Sequence, residues 1–270
     1  MRRIIHISDI HFGREDTAVV RSLTQKISEL EPHLLIVSGD LTQRARTGQF
    51  KKARAFLDAL PSPQLVVPGN HDVPLFNVLN RFAYPLERYK RFITPDLSPF
   101  FIDDEIAVTG VNTSRSLTIK GGRISPRQVA EVRLRMKHLD ERLLKVVVTH
   151  HPFDVPEGDD ERSIVGRAQE VMPLIAECGA DVFLSGHLHV SNISHSAHRY
   201  KLDDGRSALI IQAGTATSTR ERGEENSFNL IEFDHPVLTV QRYQCSLPSA
   251  GFYLATDEQF TQASAGWARM

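Results

Sequence analysis

Five stretches of the sequence place metal-ligating side chains directly after runs of branched apolar residues. The fullest is Val66-Val67-Pro68-Gly69-Asn70-His71-Asp72, in which an amide, an imidazole and a carboxylate follow a glycine. A glycine at that point lets the chain turn sharply and bring its backbone close to a ligand. The side chains after it are then aimed out of a strand's C-terminal edge, where open α/β sheets bind ligands. The other stretches offer Asp9 and His11 after Ile4-Ile5-His6-Ile7-Ser8, Asp40 after Gly39, His150 after Lys145 to Thr149, and His187 and His189 after Gly186. Taken singly each has an ordinary explanation, since Asp9 and Asp40 suit helix N-caps and Gly-Asn-His-Asp suits a polar turn. Taken together they are too many for one tetrahedral metal, which in a catalytic site takes about three protein ligands. They suit two divalent cations sharing one carboxylate, roughly 3.5–4 Å apart, which clamp the attacking and leaving oxygens of a phosphoryl displacement. Carboxylate, amide oxygen and neutral imidazole admit Mn, Fe or Zn, and no thiolate is offered to narrow the choice.

These residues need a scaffold that delivers strand ends to one place. Ile4 to Ser8 and Leu34 to Ser38 read as buried strands, as does the run before Gly69, because none of them alternates apolar with polar. Helical spacing runs from Thr17 to Leu30 (Val20, Leu23, Ile27, Leu30), closed by Pro32, and a second helix spans roughly Thr47 to Leu60. Strand, helix, strand, helix, strand favours a parallel sheet with helical crossovers. Residues 73 to 95 are Pro-punctuated and aromatic, which suits helices packed beside the site, and Phe100 to Val108 reads as a hairpin. A Ser cap with proline at the first helical position opens a helix from Ser125-Pro126 to about Asp140. Lys145 to Thr149 is another buried strand, Ile164 to Glu177 a helix that Gly179 can cap, and Asp181 to Ser185 the strand that delivers His187 and His189. Short antiparallel strands are expected at about 190–200, 207–213, 227–234 and 237–244, with Asp203-Asp204-Gly205 as a turn. The segment 246–270 lacks clear periodicity and is read as a tail on a single domain of residues 1–245. With no repeat, linker or low-complexity tract, a second sheet packed on the first is preferred to a second domain.

In this order, Asp9-x-His11, Gly39-Asp40, Gly69-Asn70-His71-Asp72, His150 and Gly186-His187-x-His189 resemble the calcineurin-like metallophosphoesterase family, over most of residues 4–190. The resemblance implies a four-layer α/β/β/α sandwich of two mixed sheets flanked by helices. It implies one metal held by Asp9, His11, Asp40 and His189 and another by Asp40, Asn70, His150 and His187, with Asp40 bridging. It also implies that a hydroxide between the metals attacks phosphorus in line, that His71 stabilises or protonates the leaving oxygen, and that Asp72 orients His71. His151 is then a packing or supporting residue, because the family match falls on His150. Within the family, His11-Phe12-Gly13 and Gly186-His187-Leu188-His189 are most similar to bacterial class III cyclic-nucleotide phosphodiesterases and glycerophosphodiesterases.

Composition bounds the substrate. Thirty-two Lys+Arg against 33 Asp+Glu leave a formal charge of -1, so no global field and no basic stripe favour an extended nucleic-acid groove. No run is long enough to span a bilayer. Two cysteines, Cys178 and Cys245, make no disulfide framework, and a cytoplasmic location is expected. The preferred function is a dinuclear-metal phosphodiesterase for a small diester, a cyclic nucleotide or a glycerophosphodiester. A nuclease and a lipid-precursor pyrophosphatase are the alternatives on the same scaffold, and a non-catalytic module would be expected to have lost ligands, of which none is missing. Candidate substrate contacts are Asn112 and Arg115 at a strand end, and Thr215, Thr217, Arg220 and Arg222 in the loop Thr215 to Asn226, which follows a strand running into Gly214. His195, His198 and Arg44 are read as surface residues and Cys178 as a small core hydrophobe.

Overall fold

The computed structural model describes residues 1–75, 78–118, 120–202, 207–219, 224–246, 251–264 and 266–270. Its first half runs β1 (Arg2–Ile7), α1 (Thr17–Leu30), β2 (Leu34–Val37), α2 (Thr47–Asp58) and β3 (Gln64–Val66). The α1 boundaries follow from the sequence: the Asp16 carboxylate accepts the Ala18 and Val19 amides at one end, and Val19, Leu23 and Ile27 form the buried stripe. β1 pairs in parallel with β2, Ile4 opposite Leu34 through Ile7 opposite Val37, and β2 pairs in parallel with β3. Equal register at the strand ends brings the loops carrying Asp9 and Asp40 side by side.

Two short helices, α3 (Val78–Ala83) and α4 (Glu87–Phe92), lead to the antiparallel pair β4 (Phe100–Ile102) and β5 (Ile106–Gly110). Then follow α5 (Pro126–Met136), β6 (Leu144–Val148), α6 (Ala168–Ala176), β7 (Val182–Ser185), β8 (Asn192–His195), β9 (Leu209–Gln212), β10 (Asn226–Asp234), β11 (Val237–Cys245), β12 (Tyr253–Ala263) and β13 (Gly266–Arg269). A seven-stranded sheet has the order β13-β12-β11-β10-β1-β2-β3, and a six-stranded sheet the order β4-β5-β6-β7-β9-β8. Both are mixed. One apolar cluster, including Ile4, Ile36, Val146, Leu184 and Ile211, lies between the sheets. A second packs α1 and α2 on the outer face of the first sheet, and a third packs α5 and α6 on the second. The result is a four-layer α/β/β/α sandwich. Among the described residues no helix is long and apolar enough to cross a membrane.

Several expectations need correction. The late strands are not one antiparallel set: β9 lies parallel to β7 in the second sheet, whereas β10 and β11 fill the open side of β1 in the first. The helix expected from Ile164 starts at Ala168, because the Val165 amide bonds the Pro152 carbonyl, Gly166 pairs with Gly122, and Arg167 is left-handed at φ 72°. The helix from Ser125 stops at Met136, short of Asp140. The segment after residue 245 contains β12 and β13; periodicity hid them because β12 is half-exposed along most of its length, with Phe260 its one fully buried side chain. The Asp203-Asp204-Gly205 turn lies outside the described residues.

Candidate metal centre

The loops after β1, β2 and β3 in one sheet and after β6 and β7 in the other converge at the C-terminal ends of these strands. Backbone bonds stitch them: the Asp9 amide donates to the Gly39 carbonyl, His11 to Asp40 and Gly186 to His150. Close approach dictates the glycines. A Cβ on Gly69 would lie 2.1 Å from Asp40 Oδ1, and one on Gly186 would lie 1.8 Å from Ser8 Oγ. Among the described non-glycine residues eight have positive φ, and five of these are Asp9 (53°), His11 (52°), Asp40 (53°), His187 (76°) and His189 (63°). Such residues cost roughly 1–3 kcal/mol each and persist where the surroundings over-determine them, typically at functional sites.

The strain aims side chains at one another. His11 Nε2 lies 3.4 Å from Asp9 Oδ1 and 3.7 Å from Asp40 Oδ2, and His189 Nε2 lies 3.6 Å from Asp9 Oδ1. On the other side, His150 Nε2 is 3.4 Å from Asp40 Oδ1 and 3.0 Å from Asn70 Oδ1, which also stands 3.1 Å from His187 Nδ1. Asp40 thus turns one oxygen to each half. Asp9 Oδ1 and both ring nitrogens of His11 are buried without a hydrogen-bond partner, although such atoms are normally satisfied. Donors that converge and are left unmatched inside a protein fit a cation, and the hard and borderline donor set fits divalent metals.

Neighbouring groups orient several of the candidate ligands. The Ser38 carbonyl, 2.8 Å from His150 Nδ1, can only accept, so that nitrogen carries the proton and Nε2 faces the centre. Thr215 Oγ1 bonds His189 Nδ1 at 2.7 Å, and Asp9 Oδ2 accepts the Ser8 hydroxyl and the His187 amide. Burial pushes the Asp9 and Asp40 carboxyls up, but His189 and His150 respectively reverse this, holding both well below the usual carboxylate range. Burial pushes His150 down, and Asp40 outweighs it, raising the imidazole to about 9. His187 is driven down to about 3 by burial and by His150, so it stays neutral.

His11, Asp9, Asp40, His150 and His189 are buried, whereas Asn70, His71 and His187 are partly exposed, so the centre opens past those three. The His71 ring stands edge-on to His11, centroids 4.9 Å apart, with Nδ1 donating to the Gln43 carbonyl at 2.9 Å. That carbonyl, and not Asp72, orients the ring. The Asp72 carboxylate is instead occupied by the amides of Gly69, Leu41 and Thr42 and by the Thr42 hydroxyl, and so fastens the Asp40 loop to the Asn70 loop. Burial, then the charge of Asp40, raises it to about 6. His151 is committed elsewhere, with Nε2 on the Lys120 carbonyl and Nδ1 on Thr113 Oγ1.

The hydroxyls of Thr215 and Thr217 are engaged within the protein. Thr215 holds His189, and the Thr217 hydroxyl donates to the Ile10 carbonyl from a fully buried position. The loop nonetheless borders the centre, because the Ala216 amide bonds the Ser8 carbonyl. Arg220 and Arg222 lie outside the described residues. Asn112 and Arg115 line two cavities beside the centre. Ser8, Ser38, Gln43 and Thr42 were not singled out in the sequence; only their adjacency to the ligand motifs could have marked them.

The profile of the family described as calcineurin-like phosphoesterase matches residues 2–191. A probable cyclic nucleotide phosphodiesterase of Xenorhabdus bovienii is 25% identical over 259 residues, covering 88% of this chain and 98% of that protein. A UDP-2,3-diacylglucosamine pyrophosphatase of Chlamydia muridarum is 34% identical over 73 residues, 26% of this chain and only 22% of that protein's length. Among solved structures, a dimetal phosphatase from Danio rerio superposes with a TM-score of 0.68 at 13% identity, covering 97% of this chain and 99% of that one.

Proposed function

The chain belongs to the calcineurin-like phosphoesterase family, and on that premise we propose that it is a two-metal phosphodiesterase of small diesters, with cyclic nucleotides and glycerophosphodiesters the preferred classes. One observation carries the reading: the Asp40 carboxylate turns Oδ1 to His150 and Oδ2 to His11. Asp9, His11, Asp40 and His189 would hold one cation, and Asp40, Asn70, His150 and His187 the other, with Mn, Fe or Zn as candidates. When bound, such a pair supplies Lewis acidity and a water ionised near neutral pH.

The chain's own residues supply the rest. His71, with its Nδ1 proton committed to Gln43, has Nε2 as the atom that can hold or give a proton at the leaving oxygen. Asp72 keeps the Asp40 and Asn70 loops together. Asn112 and Arg115 meet the non-reacting part of the substrate. The diester reading is supported by the relative whose alignment spans 98% of its length. A lipid-precursor pyrophosphatase is the second reading, favoured by a stronger but short local match. We read the chain as a single phosphoesterase domain, its first sheet completed by β12 and β13, and as cytoplasmic, in keeping with two buried free cysteines.

The test is elemental analysis of the purified protein joined to a panel of bis(p-nitrophenyl) phosphate, cyclic nucleotides, glycerol diesters and a nucleotide-sugar pyrophosphate. Two bound metals with turnover of diesters are expected. Metal-loaded protein that cleaves only the pyrophosphate would overturn the diester reading in favour of the second.

A further inference from the structure

Two neighbouring segments, 113–115 and 122–124, and a third some forty residues on, 166–167, each carry an arginine and are joined by backbone bonds. The Arg123 amide donates to the Thr113 carbonyl, the Gly166 amide to the Gly122 carbonyl and the Ile124 amide to the Gly166 carbonyl. Arg123 forms an isolated parallel bridge with Gly166. This stitching brings Arg115, Arg123 and Arg167 to the wall of one cavity of about 390 Å³, together with Asn112, Ser125 and Gln128. Its size is within the roughly 300–1,000 Å³ of small-molecule sites.

The charge in the cavity is unbalanced. Among the described residues Arg115 and Arg123 have no ion pair, and Arg167 has only Glu170, 3.6 Å from its Nε on a side chain 73% exposed. Like charges placed together in one cavity disfavour one another unless an anion joins them. Arg167 moreover holds a left-handed backbone at φ 72°, a conformation that costs free energy at a non-glycine residue. Arg115 is braced from behind, since Arg81 donates to the carbonyls of Ser116, Thr118 and Pro74 and so fixes the loop that follows it.

The cavity adjoins the metal centre. Its wall residue Ser114 donates to the Pro68 carbonyl, one residue before Gly69-Asn70, and Thr113 Oγ1 bonds His151 beside His150. We propose that Arg115, Arg123 and Arg167 form a second anion subsite that takes a phosphomonoester group, so that the substrate carries a phosphate beyond the bond that is cut. A phosphomonoester fits better than a carboxylate: one guanidinium fork satisfies a carboxylate, whereas three arginines on the wall of one cavity can serve three terminal oxygens. This deepens the phosphodiesterase reading and rests on it. Inorganic phosphate shares the chemistry and is the second possible occupant.

The metal-loaded protein is assayed on thymidine 5′-(p-nitrophenyl phosphate) and on the same compound bearing a 3′-phosphate, with p-nitrophenol as the readout. Wild type should prefer the phosphorylated diester. In Arg123→Gln and Arg167→Gln the ratio of the two kcat/KM values should fall roughly tenfold to a hundredfold, the range for losing a hydrogen bond to a charged group. The loss should lie mainly in KM. Arg123→Lys should restore part of the preference, and added salt should weaken it in wild type. Calorimetric titration of inorganic phosphate into wild type and variants reads the other occupant: a binding event present in the first and absent in the second supports the subsite even without a substrate preference. Equal substrate ratios together with equal phosphate binding in wild type and variants would overturn the proposal. Failure of wild type to hydrolyse either diester would instead count against the phosphodiesterase reading, and the phosphate titration would still decide the subsite.

Discussion

Asp40 is the residue on which both halves of the centre depend, because its two oxygens face different imidazoles. Asp40→Ala should therefore lower metal content at both positions and abolish hydrolysis, whereas loss of a ligand to one metal alone should leave the other bound. Two metals and near wild-type turnover in Asp40→Ala would show that the bridge is assigned wrongly. His71 contrasts with it. Its Nδ1 is spent on Gln43, so His71→Ala should keep both metals and lose turnover by roughly 10²–10⁴-fold, with a smaller loss on activated p-nitrophenyl esters that need little protonation. Equal losses on good and poor leaving groups would assign it a positioning role. His150 supplies the pH dependence. In the metal-free protein Asp40 raises it to about 9, against about 6.5 unfolded, so near neutral pH it is charged when folded. The pair's contribution to metal-free stability is complete below the unfolded value and is lost as pH rises through about 9. A metal must displace that proton, so uptake should release protons near neutral pH, and affinity should rise with pH until about 9 and then level off. Metal titration in weakly buffered solution with a pH indicator measures the release; none at neutral pH would show that His150 is not a ligand.

The loops after the strands hold these residues, and the glycines let the loops touch. A Cβ at Gly69 would strike the backbone nitrogen of Asp40 at 2.2 Å as well as its carboxylate, a contact that no side-chain rotation relieves. Gly69→Ala should push the Asn70 loop away from Asp40 and weaken metal binding more than it lowers Tm, which metal titration and thermal melts would separate; unchanged affinity would mean that the loops can part freely. The five strands that bring the candidate ligands together were legible in the sequence because each motif follows a buried apolar run, so a local pattern announced both the strand and the group at its end. Helix α1 was legible because an apolar stripe and Pro32 mark its extent, whereas its Asp16 cap came only with the structure. What was not legible depends on contacts between distant segments. Thr215 supports His189 only because β9 lies beside β7, and Asp72 bonds amides some thirty residues away. The start of α6 was misread for the same reason: the pairing of Gly166 with Gly122 consumes backbone that periodicity assigned to a helix.

At the scale of the whole molecule the centre sits between two sheets, so its geometry depends on how the sheets are held against each other. The apolar cluster between them includes Phe260 and Trp267 from β12 and β13, beside Phe233, Leu238 and Val240. These last strands, which carry none of the candidate ligands, thus contribute to the alignment of the strands that do. Trp267 is 5% exposed, with its ring 6.5 Å from Phe233, and its indole nitrogen has no hydrogen-bond partner. Trp267→Ala should then cost about 3–5 kcal/mol, the range for emptying an aromatic site in a core, and lower Tm by about 2–4 °C for each kcal/mol lost. Trp267→Phe should cost less, because it keeps much of the apolar volume and removes an unpaired donor. Both variants should retain their metals and turnover well below their melting temperatures. Truncation after Cys245 goes further: it strips both aromatics and bares β11 as a nine-residue edge, a template for pairing with other chains. The shortened chain should aggregate or melt well below the full one, as light scattering and thermal denaturation would show. A truncated protein that melts with the full chain and binds two metals would mean that β12 and β13 are appended to the sandwich and do not brace it.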